Sequence, residues 1–223
     1  MADIAGKRLV DLSHVIEPGM TTYKGLPGPV VCDYWTREAS AALYDDGSSF
    51  QIGRIDMVAN TGTYLDSPFH RFEEGVDLAG LELDGLAALE GVLVRVPEDQ
   101  LAIDADLFAG LDCKDKAVLV ATGWDRHWRT DAYFENHPFL TAAAARLLVQ
   151  AGAALVGIDS HNIDDTSARA RPVHTILLGA GIPIVEHLTN LTTLPGSGFR
   201  FTATPPKFAG VGTFPVRAFA EIS

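Results

Sequence analysis

Asn60-Thr61-Gly62-Thr63-Tyr64-Leu65-Asp66-Ser67-Pro68-Phe69-His70 brings a glycine, a proline, a carboxylate and an imidazole together, just after the apolar-alternating segment 50–58. That composition predicts a shaped loop at a strand end, where a rigid scaffold presents its chemistry. Asp66 and His70 are suited to act together as acid, base or metal ligand. The plainer alternative is an aspartate capping the turn at Ser67-Pro68 and a histidine facing water. The rest of the chain bears on the choice.

Further along, Arg171-Pro172-Val173-His174 opens a helical segment. An imidazole near a helix N-terminus is disfavoured as a cation by the dipole, which predicts a neutral His174 able to bind a metal or accept a proton. A water-facing histidine is the alternative. Gly181-Ile182-Pro183-Ile184-Val185-Glu186-His187-Leu188 places a carboxylate in an otherwise apolar run. Burying it ionised costs several kcal/mol unless a cation or good donors compensate, so Glu186 either points outward at a strand end or meets a cation inside. In Val156-Gly157-Ile158-Asp159-Ser160-His161-Asn162-Ile163-Asp164-Asp165 an apolar strand runs into an acidic loop, a common site lining. There Asp159 is also a turn cap by type, and His161 a solvent-exposed side chain. Trp124, after the apolar run 117–121, either walls a pocket or closes the core.

Strands are expected at 8–12, 50–58, 91–96, 117–121, 154–158, 182–186, 199–204 and 216–220, each bounded by Gly, Pro or Asp. Helices are expected at 141–150, with Thr141 as cap and Gly152 beyond its end, and at 172–178, with Pro172 in the first turn. This mixture predicts a mixed α/β or α+β domain rather than a doubly wound one. No long linker, repeat or low-complexity stretch divides the chain, so one domain over 1–223 is expected.

The net charge of −12, from 29 acidic and 17 basic side chains, repels phosphate backbones and anionic lipids. Nucleic acid and membranes are therefore not expected partners. Hydrophobic residues make up 47% and charged residues 21%, enough apolar material for a sizeable core. Cys32 and Cys113 lie in no metal-knuckle or CxxC spacing, Met1 to Lys7 lacks a leader pattern, and no apolar run spans a bilayer, so a cytoplasmic protein is expected. Nucleotide-phosphate loops and the GxSxG elbow are absent.

Nearly the whole chain resembles the cyclase-like metal-dependent hydrolases, the group containing the bacterial kynurenine formamidases and isatin hydrolases. Their pattern is H-x-G-T-H-x-D-x-P-x-H. Gly62, Thr63, Asp66, Pro68 and His70 match it, and Asn60 and Tyr64 stand where its first two histidines would be. Val10-Asp11-Leu12-Ser13-His14 looks like the opening strand, followed by the Pro18-Gly19-Met20 turn. Thr122-Gly123-Trp124, Gly157-Ile158-Asp159-Ser160, His174, Glu186 and Val216-Arg217-Ala218 follow in the family's order.

The resemblance implies a swivelling β/β/α fold, a homodimer or homotetramer, and a small-molecule substrate. It also implies divalent metal that activates water against a carbonyl, with the last motif histidine as general acid/base. Carried over, Asp66, His174 and Glu186 become metal ligands, Asn60 a weak carbonyl ligand and His70 the proton carrier. Tyr64 becomes a donor to Asp66 or to an oxyanion. Three protein ligands suffice for one catalytic cation, zinc or manganese. The competing expectation is a metal-free network in which His174 pairs with Asp66 or Glu186. The expected activity is an arylformamidase-like hydrolase opening an amide or cyclic carbonyl, with Phe69, Trp124 and Phe139 as pocket walls or core. The rivals are a metal-independent lyase or isomerase using His70 with Tyr64 or Asp66, and a non-catalytic binding scaffold.

Overall fold

A computed structural model describes residues 6–222, so most of the N-terminal stretch read for a leader lies outside the described residues. In chain order the strands are β1 (Arg8–Asp11), β2 (Val30–Trp35), β3 (Ile52–Asp56), β4 (Tyr64–Asp66), β5 (Leu89–Arg95), β6 (Ala102–Ile103), β7 (Ala117–Ala121), β8 (Phe139–Leu140), β9 (Leu155–Ile158), β10 (Ile184–Glu186), β11 (Phe199–Thr202), β12 (Thr213–Pro215) and β13 (Phe219–Ile222). Three α-helices join them among the described residues: α1 (Arg37–Ala41), α2 (Ala142–Gln150) and α3 (Pro172–Gly179).

One sheet of nine strands runs β1-β13-β11-β5-β7-β9-β10-β4-β12. Its centre, β5-β7-β9-β10, is parallel, and both flanks are antiparallel. The fold is therefore mixed α/β, as the alternation of segments implied. The parallel centre is buried on both faces, which is why β7 reads Ala-Val-Leu-Val-Ala without polar alternation. Ala117, Leu119 and Ala121 enter one core cluster with Val10, Leu12, Leu65 and Phe201. Val118 and Val120 enter the other, with Leu148 of α2 and Val173 and Leu177 of α3.

Helix α2 starts as its sequence requires, with the Thr141 hydroxyl accepting from Ala144 N, and Gly152 follows its end at a φ of 71°. Two expectations need correction. The stretch 60–70 is not all loop: Tyr64–Asp66 is an interior strand followed by a single 3₁₀ turn, Pro68–His70. Three residues are too few for a period-two pattern to show. The closing strand is Phe219–Ile222, later than 216–220, because β13 pairs with both β1 and β11 in that register. Strands β2 and β3, with α1, form a hairpin outside the main sheet.

Candidate active site

Strand β4 lies between β10 and β12, with Glu186 opposite Tyr64 and Thr213 opposite Asp66. Side chains alternate along a strand, so Leu65 and Val185 enter one core while Tyr64, Asp66 and Glu186 share the opposite face. Helix α3 packs on that face through Val173 and Leu177, beside Ile184. His174 is thereby delivered to Asp66 and Glu186.

Asp66, Glu186 and Tyr64 are buried, and His174 is 6% exposed. His174 Nδ1 lies 2.7 Å from Asp164 Oδ2. The Asp164 carboxylate also accepts from the backbone N–H groups of Val173 at 2.7 Å and His174 at 3.0 Å, so it caps α3 and orients the ring. With Nδ1 donating to Asp164, Nε2 is left facing Asp66 Oδ2 and Glu186 Oε1, each 3.7 Å away. Those separations are too long for hydrogen bonds. Asp66 Oδ2 is buried with no partner. Glu186 Oε1 accepts from Ile163 N at 2.7 Å, and Oε2 accepts from the Tyr64 hydroxyl at 2.6 Å.

The expectation of a neutral His174 fails for the chain by itself. Burial opposes its charge, but Asp164, Asp66 and Glu186 outweigh that and hold its pKa up to about 10. Sequence showed only the helix dipole, whereas three carboxyl groups from other segments converge on the ring. Burial likewise pushes the Glu186 carboxyl up, against the His174 charge that pulls it down. Tyr64 is raised well above its ordinary value, first by burial and then by Glu186 and Asp66, so it remains a donor.

His70 is more open, its side chain 34% exposed. Its Nδ1 lies 2.8 Å from Thr213 Oγ1, and that hydroxyl also donates to Asp66 Oδ1. A hydroxyl has one proton. With that proton directed to Asp66, His70 Nδ1 must donate to Thr213, which leaves the neutral ring's Nε2 as the proton acceptor. Gly212 permits this approach: a Cβ there would lie 2.4 Å from His70 N.

Ligand atoms of Asp66, His70 and His174 all lie within 4.8 Å of one another, a spacing that suits a shared metal ion. That trio includes His70, expected only as a proton carrier, and not Glu186, whose Oε1 stands 3.7 Å from His174 Nε2. Three buried carboxyl groups, Asp66, Asp164 and Glu186, face one imidazole. That excess of negative charge, with an unpartnered carboxylate oxygen, fits a divalent cation.

Tyr64, His70, His174, Glu186 and Asn60 line one cavity of about 260 Å³, along with Tyr23, Leu26 and Asn162. Asn60 is on its wall, but no hydrogen bond among the described residues ties its amide to Asp66, His174 or Glu186. Phe69, Trp124 and Phe139, expected as pocket walls or core, are not in that wall. Trp124 instead donates to Tyr133 O at 3.0 Å. Asp159 caps the turn after β7 by accepting from Thr122 N, Thr122 Oγ1 and Gly123 N. His161 is buried, not solvent-facing. Thr213 and Tyr23 went unremarked in the sequence, and Asp164 was not separated from its acidic neighbours. A polar residue on a short edge strand or in a loop has no periodicity that marks it.

The chain matches the family described as "Putative cyclase" over residues 10–165. It is 30% identical over 216 residues to a kynurenine formamidase of Salinibacter ruber (strain DSM 13855 / M31), covering 94% of this chain and 95% of that protein. A solved structure described as a potential metal-dependent hydrolase with cyclase activity matches with a TM-score of 0.79 at 26% identity, covering 97% of this chain and 98% of that one. Isatin hydrolase A from Labrenzia aggregata shares the fold, with a TM-score of 0.81 at 21% identity over 97% of this chain and 94% of that one. The chain belongs to the cyclase family.

Proposed function

We propose that this cyclase-family chain is a hydrolase that opens a small amide or cyclic carbonyl compound with the help of one divalent cation. The formamidase relative supports amide cleavage. The observation that carries the metal reading is Asp66 Oδ2, buried without a hydrogen-bond partner 3.7 Å from His174 Nε2, which stands at the same distance from Glu186 Oε1. Asp66, His174 and Glu186 would hold the cation, with Asn60 at the cavity wall as a further oxygen donor. Zinc or manganese suits this mixed oxygen and nitrogen set. Bound there, the cation supplies Lewis acidity and nucleophilic water near neutral pH.

The chain's own groups do the rest. Asp164 fixes the His174 ring so that Nε2 faces the carboxylates, the arrangement that commonly orients a ligating histidine. Tyr64 donates to Glu186, so that one carboxylate oxygen is neutralised by a proton rather than by a second cation. His70 Nε2 takes a proton from water as its oxygen bonds to the carbonyl carbon. It then returns that proton to the departing nitrogen as the C–N bond breaks, giving acid and amine. Thr213 keeps His70 in the tautomer this needs.

The test is turnover of formanilide before and after chelation. Activity lost on chelation, restored by zinc or manganese, and abolished in His70→Ala with metal retained supports the reading. Undiminished turnover in metal-free protein, or substoichiometric metal after reloading, overturns it.

A homodimer or homotetramer is proposed as well. The β2–β3 hairpin leaves Val30, Tyr34 and Ile55 at 58%, 68% and 62% exposure, more apolar surface than an isolated two-stranded ribbon carries stably. A second copy of the chain is the occupant we assign, and light scattering reads the mass. Cys32 and Cys113 are both free, in keeping with a reducing compartment, and the cytoplasm is the proposed location. Among the described residues no helix is long and apolar enough to cross a membrane.

A further inference from the structure

Two guanidinium groups reach the wall of the same cavity. Arg71 directly follows His70, and Arg171 precedes the first residue of α3, the helix that carries His174. Both line the space of about 260 Å³ with Tyr23, Leu26 and Glu186.

The chain carries 29 acidic side chains against 17 basic ones. Lys7, Lys24, Lys116, Arg129 and Arg217 each pair with a carboxylate. Among the described residues Arg71 and Arg171 belong to the basic side chains that do not, and they are the two that line this cavity. Arg171 is nevertheless held in place. Its Nη1 donates to the carbonyls of Asp165, Ala168 and Ala170 at 3.0, 2.7 and 2.8 Å. Nε and Nη2 remain without an acceptor. Arg71 Nε donates to Thr175 Oγ1 at 3.2 Å, leaving both terminal nitrogens. A planar fork tethered along one edge keeps its other donors aimed, and such a fork matches a carboxylate with two parallel hydrogen bonds.

The backbone N–H groups at the start of α3 are not competing for this role, because Asp164 already occupies those of Val173 and His174. Away from the Asp66–His174–Glu186 cluster, the charged anion-binding donors on the cavity wall are therefore the two arginines. Tyr23 and Leu26 supply an apolar wall, and Asn162 holds the Tyr23 hydroxyl at 2.6 Å.

We propose that Arg71 and Arg171 bind a carboxylate on the non-reacting end of the substrate, which makes the substrate class a small, ring-bearing amide that is itself an anion. This deepens the hydrolase reading and rests on it. The guanidiniums fix which end of the molecule enters, and the amide is presented to His70.

Two measurements on metal-loaded protein test it. One is the ratio of kcat/KM for 2-formamidobenzoate to that for its methyl ester. The other is calorimetric binding of benzoate and benzamide. We expect both ratios to favour the anion at least tenfold. Arg71→Gln and Arg171→Gln should each cut that preference fivefold or more, and Arg171→Lys should keep part of it. Arg71→Gln guards against misreading a loop collapse in Arg171→Gln, since Arg71 makes one side-chain hydrogen bond to its surroundings. Equal handling of acid and ester, or an anion preference unchanged in both glutamine variants, overturns the proposal. Arginine-dependent benzoate binding without turnover of any formamide would instead sink the hydrolase reading and leave carboxylate recognition standing.

Discussion

The Tyr64 hydroxyl donates a 2.6 Å hydrogen bond to Glu186 Oε2 across the register pair that joins β4 to β10. The family pattern has an imidazole at position 64. Here a phenol, held protonated by burial and by Glu186, stands in that position and satisfies the carboxylate.

Removing that proton donor has a defined cost. Tyr64→Phe leaves Glu186 Oε2 buried without a partner, a loss of about 1–3 kcal/mol. Urea denaturation of metal-free protein reads it directly. Conversely, the paired change Asn60→His and Tyr64→His restores both motif imidazoles, and metal analysis should find the content rising from one equivalent towards two.

Thr213 is predicted to act through His70. Thr213→Val removes the acceptor for His70 Nδ1 and the donor to Asp66 Oδ1 together. We expect kcat to fall about 10–100-fold, the usual range for a group that orients a site residue. Thr213→Ser should recover most of the rate. The pH–rate profile should shift in the valine variant, which a purely structural role would not produce.

Gly212→Ala should damage the same region by crowding. The added Cβ would meet His70 N at 2.4 Å and His70 Cα at 2.6 Å, and backbone cannot rotate away as a side chain can. Overpacking of this kind costs about 1–3 kcal/mol. A lowered thermal midpoint with impaired turnover is the expected outcome.

Burial pushes down four imidazoles outside the catalytic constellation, His14, His137, His161 and His187, and pushes up the Asp159 and Glu186 carboxyls, to about 6 and about 7. Burial, with neighbouring cationic groups, pushes His161 down to about 3, and burial pushes His187 well below its ordinary value. In the unfolded chain both titrate near about 6.5. Above that pH both are neutral in either state and folding is unaffected. As pH falls below it, the unfolded chain binds more protons, and each group removes about 1.4 kcal/mol of stability per pH unit. Asp159 and Glu186 act in the opposite sense over the same range, so the test is a difference: in urea midpoints measured between about pH 7 and 5, His161→Gln should remove one histidine's share of the acid destabilisation relative to the unaltered chain.

Glu186 shows what the sequence revealed and why. A carboxylate after Ile-Pro-Ile-Val had either to point outward or to be offset inside, because burial costs energy, and it is 0% exposed. Helices α2 and α3 were readable from their cap and their proline, which act locally. Strand β4 was not, since three residues flanked by Gly and Pro look like a turn until β10 and β12 close on them. Asp164 and Thr213 were invisible as site residues for the same reason. Their roles exist only through partners 10 and 143 residues away in the chain.

Diffraction at the zinc or manganese absorption edge, from crystals grown with that metal, tests the central claim most directly. The account predicts one anomalous peak per chain, bonded to Asp66, His174 and Glu186 at about 2.0–2.2 Å. No peak there, with a proton-bridged Asp66–His174–Glu186 network in its place, would contradict it.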